Sequence, residues 1–119
     1  MPSRPEELKE RTKRFAVRIV HLFRELPHTE EAQVIGKQLL RSGTSVAANY
    51  RAVCRARSKA EFVAKIGVVV EEADETVFWL ELLVDSTIVA ATKLDGLLAE
   101  ANELLAIFAA SQRTARSPQ

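Results

Sequence analysis

Leu8, Thr12, Phe15, Ile19, Leu22 and Leu26 recur at alternating steps of four and three. That spacing puts all six on one face of a continuous helix and leaves Arg11, Arg14, Arg18 and Glu25 off it. Pro27 closes the segment, because a proline disfavours helical geometry in the residue before it. A chain that opens on a long one-sided helix must cover that face with something of similar length, and the rest of the sequence supplies further helices.

Thr29 is a good N-cap for the second, and Glu30 and Glu31 suit the positive end of its dipole. Its stripe runs Ala32, Ile35, Leu39, Ser42, Val46, Tyr50 and Val53. Gly36 and Gly43 sit within this helix, each costing ~1 kcal/mol relative to Ala. Close approach of a neighbouring helix at both points explains them; a break near Ser42-Gly43 is the alternative. Ser58-Lys59-Ala60-Glu61 fits a capping box, with Ser58 as N-cap and Glu61 reaching back. The third helix carries Phe62, Ile66, Val69, Ala73, Val77, Leu80 and Val84, and Val63, Val70 and Trp79 widen its apolar surface beyond one stripe. Such a helix needs more than one neighbour, in the middle of a bundle or at a contact between copies. Asp85-Ser86-Thr87 reads as a turn, and Leu94, Leu97, Leu98, Ala101, Leu104, Leu105 and Phe108 mark the last helix.

The expected fold is therefore all-α: an antiparallel up-down-up-down four-helix bundle over 6–112, with helices at about 6–26, 29–56, 59–84 and 90–112. Residues 1–5 and 113–119 are expected to be a disordered lead-in and tail. With 119 residues there is room for one core and no second domain. Four Gly and four Pro are too few for the turns of an all-β chain. The single Cys54 excludes an internal disulfide and suits a reducing compartment. The longest apolar run is far shorter than the ~20 residues of a membrane span, and no secretory signal is visible. The expected location is cytoplasmic, with no membrane partner.

Chemistry-bearing residues are sparse. His21 and His28 are isolated and read as surface or cap positions, and Cys54 reads as packed in or beside an interface. The acidic cluster Glu71-Glu72-Ala73-Asp74-Glu75 lacks the Glu-x-x-His pairing of a bundle di-metal site, since no His lies three residues after any Glu except across Pro27. Neither an enzyme nor a metal site nor a cofactor is expected.

Charge is more informative. The net +1 conceals opposed halves: 13 Lys and Arg against 6 Asp and Glu in residues 1–60, and 4 against 10 in 61–119. Between 41 and 59 lie Arg41, Arg51, Arg55, Arg57 and Lys59 with no acidic residue. Arg51 and Arg55, four apart, share a helix face. A guanidinium grips phosphate or carboxylate in two places at once, so the targets are the carboxylates of the third helix or a nucleic-acid backbone. Aromatics free to stack on bases are scarce, so binding by shape and phosphate fits better than single-strand stacking. Ser42, Ser45 and Asn49 lie on one face of the same helix. They either bond to backbone carbonyls one turn back or form a polar layer with Glu72 or Glu75 opposite.

The segment Ser42-Gly43-Thr44-Ser45-Val46-Ala47-Ala48-Asn49, the basic run after it, Phe62 and the stretch 72–75 together resemble a known family. It is that of four-helix-bundle proteins encoded within intervening sequences of bacterial 23S rRNA genes. Ser42, Ser45, Val46, Asn49, Arg55, Phe62 and Glu72 match the family pattern position by position, and the similarity spans roughly residues 8–110. Many members follow the Asn with a small residue and then Glu-Gly, where this chain has Arg51, Ala52 and Val53, which places it in a variant branch. The resemblance implies an antiparallel bundle assembling into a ring-like homopentamer. A related group serves as accessory proteins of diversity-generating retroelements, which implies RNA or DNA and a reverse transcriptase as partners. Taken together, the reading is a non-enzymatic oligomeric bundle that binds nucleic acid, RNA favoured, through Arg41, Arg51, Arg55, Arg57 and Lys59. The competing reading is an interaction scaffold whose basic and acidic surfaces pair between subunits.

Overall fold

The computed structural model describes residues 3–117, and they form four helices: α1 (Arg4–Glu25), α2 (Glu30–Val53), α3 (Lys59–Asp85) and α4 (Ala91–Arg116). No strand occurs among the described residues. The first three helices begin on side-chain caps, where Ser3, Thr29 and Ser58 accept the backbone N–H groups of Glu6, Ala32 and Glu61 at 3.3, 3.4 and 3.0 Å. The reciprocal half of the expected capping box is not made. Glu61 turns its carboxylate to Lys65 at 3.1 Å and Arg57 at 3.6 Å, because those cations compete for it.

Several boundaries differ from the periodicity. The expected lead-in over 1–5 is corrected at Arg4 and Pro5, which are already helical. Proline is harmless in a first turn, where its missing N–H has no partner in any case. The expected tail over 113–119 is corrected likewise, since α4 continues to Arg116; Arg113 and Arg116 suit the negative end of its dipole. The remaining parts of those two segments, residues 1–2 and 118–119, lie outside the described residues. At the other extreme α2 stops at Val53 rather than 56. The amides of Arg55 and Ala56 bond three residues back, to Ala52 and Val53, and tighten the chain out of the helix.

The turn after α3 has a specific geometry. Thr87 adopts φ 59°. The amide of Ile88 reaches the carbonyl of Leu83 and that of Thr87 the carbonyl of Val84, each at 3.0 Å. This is the Schellman arrangement, with a β-branched residue where glycine is usual.

Helix α3 lies between α2 and α4, α2 lies between α1 and α3, and of the helix pairs that adjoin, α1 and α4 touch least. Phe15, Ile19, Leu39, Val46, Ile66, Leu80, Leu83, Leu104 and Phe108 fill the space between them. Helix α2 runs unbroken through Ser42-Gly43. A Cβ built on Gly43 would lie 2.9 Å from Ile19 Cγ1, and one on Gly36 would lie 3.1 Å from the Phe23 ring, so both glycines mark close passage of α1 over α2. The second apolar face of α3 is partly uncovered: Val68 and Phe78 remain 42% and 52% exposed.

The thin contact between α1 and α4 is fastened by Arg11, whose Nε and Nη2 donate to the two carboxylate oxygens of Glu100 at 2.8 and 2.7 Å. Arg11 also lies 3.0 Å from Glu103. At 26% and 20% side-chain exposure the Arg11–Glu100 pair is shielded enough to exceed an ordinary surface pair, and its loss should cost roughly 1–2 kcal/mol. The Arg11 hydrogen bond holds the Glu100 carboxyl below its ordinary value, against an opposing effect of burial. A depressed carboxyl stabilises the fold above its unfolded pKa, and that contribution disappears as pH falls through the lower folded value. Wild type should therefore lose more stability than Glu100→Gln when pH is lowered from about 5 to about 2. Parallel denaturation profiles across that range would contradict this.

Candidate nucleic-acid interface

Helix α2 distributes its basic residues unequally. Arg41 faces α3, where its guanidinium bonds to Glu72 at 3.1 Å and to Glu75. Trp79 Nε1 donates to the same Glu75 oxygen at 3.1 Å. The two donors, Arg41 first and Trp79 second, hold the Glu75 carboxyl below its usual range, and Glu75 in turn raises the Arg41 pKa. Arg41, expected among the nucleic-acid-binding residues, is thus paired with carboxylates of α3, the other target that the sequence leaves open.

Arg51 and Arg55 differ. Both are exposed, and neither has an ion-pair partner among the described residues. Arg55 lies just past the C-terminus of α2, beyond Cys54. Arg57 is 88% exposed and only loosely near Glu61, so its charge still faces solvent. Lys59 opens α3 and is exposed. Cys54, expected to be packed in or beside an interface, is exposed at the C-cap of α2. Tyr50 is buried, with its ring 5.1 Å from that of Phe108. Burial, followed by the neighbouring Cys54, pushes its phenol above the ordinary value. It is not available to stack on a base.

The polar residues of α2 resolve into two kinds. Ser42 is fully buried and meets Thr76 of α3, their hydroxyl oxygens 3.0 Å apart. Thr76 also reaches the Glu72 carbonyl at 2.7 Å and Ser42 the Leu39 carbonyl at 3.3 Å. Two hydroxyl protons can serve two of these three contacts at a time, so the pair is satisfied without a charged partner. Asn49 donates to the carbonyl of Ser45 at 2.9 Å, one turn back in its own helix. The Glu72 carboxylate belongs to Arg41 and not to Ser42, Ser45 or Asn49. The expected four-residue layer is corrected to a Ser42–Thr76 contact, because Thr76 and not a carboxylate lies opposite. Among the described residues no group of three or more His, Cys, Asp or Glu could hold a metal ion, and no helix is long and apolar enough to cross a membrane.

A groove of about 460 Å³ runs between α1 and α2, lined by Lys9, Glu10, Lys13, Thr44, Ala47, Ala48 and Arg51. It joins Arg51 to two lysines of α1 that a reading confined to 41–59 leaves out. Their spacing of four residues on the polar side of α1 is the signal that marks them.

Four long helices and a cationic groove between the first two define an all-α protein of the four-helix class. Residues 6–110 match the family described as 23S rRNA-intervening sequence protein. The chain belongs to that family. It is also similar to a solved protein of unknown function from the S23 ribosomal protein family of Bacteroides thetaiotaomicron VPI-5482. The two share 35% identity and a TM-score of 0.81, over 87% of this chain and 96% of that one. Comparison with curated proteins gives no match.

Proposed function

We propose that this chain is a non-catalytic, antiparallel four-helix bundle that assembles with copies of itself, a pentamer being favoured, and binds RNA through the arginines at the end of α2. The observation that carries the reading is the contrast on that helix. Arg41 is matched by two carboxylates, whereas Arg51 and Arg55 face solvent with no ion-pair partner among the described residues. Arg57 and Lys59 extend the same end. The family description, an rRNA intervening-sequence protein, supports RNA as the polyanion. Antiparallel packing is supported by the order of contacts, since Gly36 meets Phe23 and Leu26 while the later Gly43 meets the earlier Ile19. Exposed Val68 and Phe78 support contact with another copy.

Binding to a structured RNA should weaken steeply as salt is raised. Arg51→Glu with Arg55→Glu should abolish it while leaving the helical circular-dichroism spectrum intact. Absence of binding by the wild-type protein at low salt would remove the proposal.

A second reading has its own observation: Glu71, Asp74, Glu81 and Asp85 of α3 are exposed and have no ion-pair partner among the described residues. They could receive Arg51 and Arg55 of a neighbouring copy. In that case the same double reversal lowers the particle mass in light scattering, and RNA retention stays at background throughout.

A further inference from the structure

We infer that the phosphate-binding surface is the groove between α1 and α2, with Lys9 and Lys13 as one wall and Arg51 as the other. The inference rests on the RNA-binding reading and extends it to a second helix. Three features of the groove carry it.

The first is charge. Lys9, Lys13 and Arg51 have no ion-pair partner among the described residues. The lining contains one carboxylate, Glu10, and it lies 3.7 Å from Arg14 on its own helix. Helix α2 brings none, because no Asp or Glu occurs between Glu31 and Glu61. Three cations facing one paired anion give a concave surface of net positive charge, which concentrates a polyanion.

The second is the floor. Thr44, Ala47 and Ala48 are small, so a phosphate backbone can come close to the helix between the cationic walls. The Thr44 hydroxyl already bonds to the carbonyls of Leu40 at 2.7 Å and Arg41 at 3.2 Å. The groove therefore offers charge and shape, with no aromatic platform and no floor donor free to read a base edge.

The third decides between RNA and the acidic face of a second copy. That face, on α3, carries the exposed ring of Phe78 between Asp74 and Glu81. A docked copy would have to place the ring against apolar side chains, and the groove lining holds no aromatic or branched aliphatic one, only the methyls of Thr44, Ala47 and Ala48 and the stems of its charged residues. A sugar-phosphate backbone makes no such demand.

The test is fluorescence anisotropy of a labelled hairpin RNA with the full-length protein across a salt series. Lys9→Gln with Lys13→Gln should weaken binding at least about tenfold and flatten the log–log salt slope by about 1.5, as two lost phosphate contacts require. Lys93→Gln with Arg113→Gln removes the same charge from exposed positions on α4 and should leave affinity and slope unchanged. All four residues are exposed, and unchanged circular dichroism and light-scattering mass verify fold and assembly. Scrambling the hairpin sequence should not alter affinity.

Should Arg51→Glu with Arg55→Glu abolish binding while the lysine variant binds like wild type, the α1 wall is overturned and the broader reading survives. Failure of wild type to bind at low salt overturns both. Displacement of the RNA by polyglutamate at equal charge concentration overturns RNA as the occupant and makes the groove a site for acidic protein segments.

Discussion

Phe108→Ala should lower the unfolding free energy by about 3–5 kcal/mol, the cost of emptying an aromatic site that its surroundings refill poorly. Phe108 is fully buried, and its ring lies 5.1 Å from that of Tyr50 at an interplanar angle of 37°. It is thereby the point where α4 reaches across the core to α2. Truncation removes the contact of both rings and leaves a void bounded by helices fixed by other contacts. The whole fold is worth about 5–15 kcal/mol, so the variant should unfold at a much lower urea concentration. Phe108→Leu keeps most of the volume and should cost about 1.5 kcal/mol. Tyr50→Ala combined with Phe108→Ala should cost less than the two separate losses, since each change already removes the shared contact. A loss below about 1 kcal/mol for Phe108→Ala would contradict the packing described.

Gly43→Val should destabilise by about 3 kcal/mol, because the added methyl groups have nowhere to go. A Cβ alone at this position meets Ile19 Cγ1 at 2.9 Å, Cγ2 at 3.0 Å and Cβ at 3.3 Å. Ile19 is fully buried, and as a β-branched residue in a helix it has essentially one rotamer, so α1 itself must retreat. The gain in helix propensity over glycine is at most ~1 kcal/mol and does not offset this. Gly96 is the internal control. There the nearest atom to a new Cβ is Arg18 Nη2 at 3.5 Å, an ordinary contact at the end of a long side chain. Gly96→Ala should raise stability by up to about 1 kcal/mol. Thermal denaturation should shift in opposite directions for the two variants, and a Gly43→Val midpoint equal to wild type would show that the helices are not held together there.

Much of this architecture can be read along the chain, for physical reasons that also mark where such reading stops. Helical stripes are local, so Leu8 to Leu26 and Phe62 to Val84 declare their elements. So are Thr29 and Ser58, whose side chains bond within their own first turns. The start of α1 is also local but ambiguous, because Pro5 punctuates a loop and is equally at home in a first helical turn. The end of α4 is hidden differently: Ser111 to Arg116 is polar, yet neither glycine nor proline stops the helix there.

Functional residues are harder, since their state depends on partners across the bundle. Arg41 and Arg51 look alike in a basic run, and only the packing of α3 reveals that Glu72 and Glu75 claim the first. Ser42 signals a buried polar site without saying that Thr76 completes it. Lys9 and Lys13 join Arg51 through the register of α1 on α2, a register set by the bare backbone at Gly36 and Gly43. No inventory of charges along the chain contains that information.

Helix α1 has one flank in the groove and the other on the clamp, since Arg11 grips Glu100 from the same two turns that present Lys9 and Lys13. With so little else joining α1 to α4, that guanidinium acts as a guy-rope for the whole rod. Without it the packing of α1 on α2 is the chief hold on the rod, at the flank that carries Lys9 and Lys13. The helix that carries the lysine wall is thus secured on its far flank by a tie that touches neither those lysines nor Arg51.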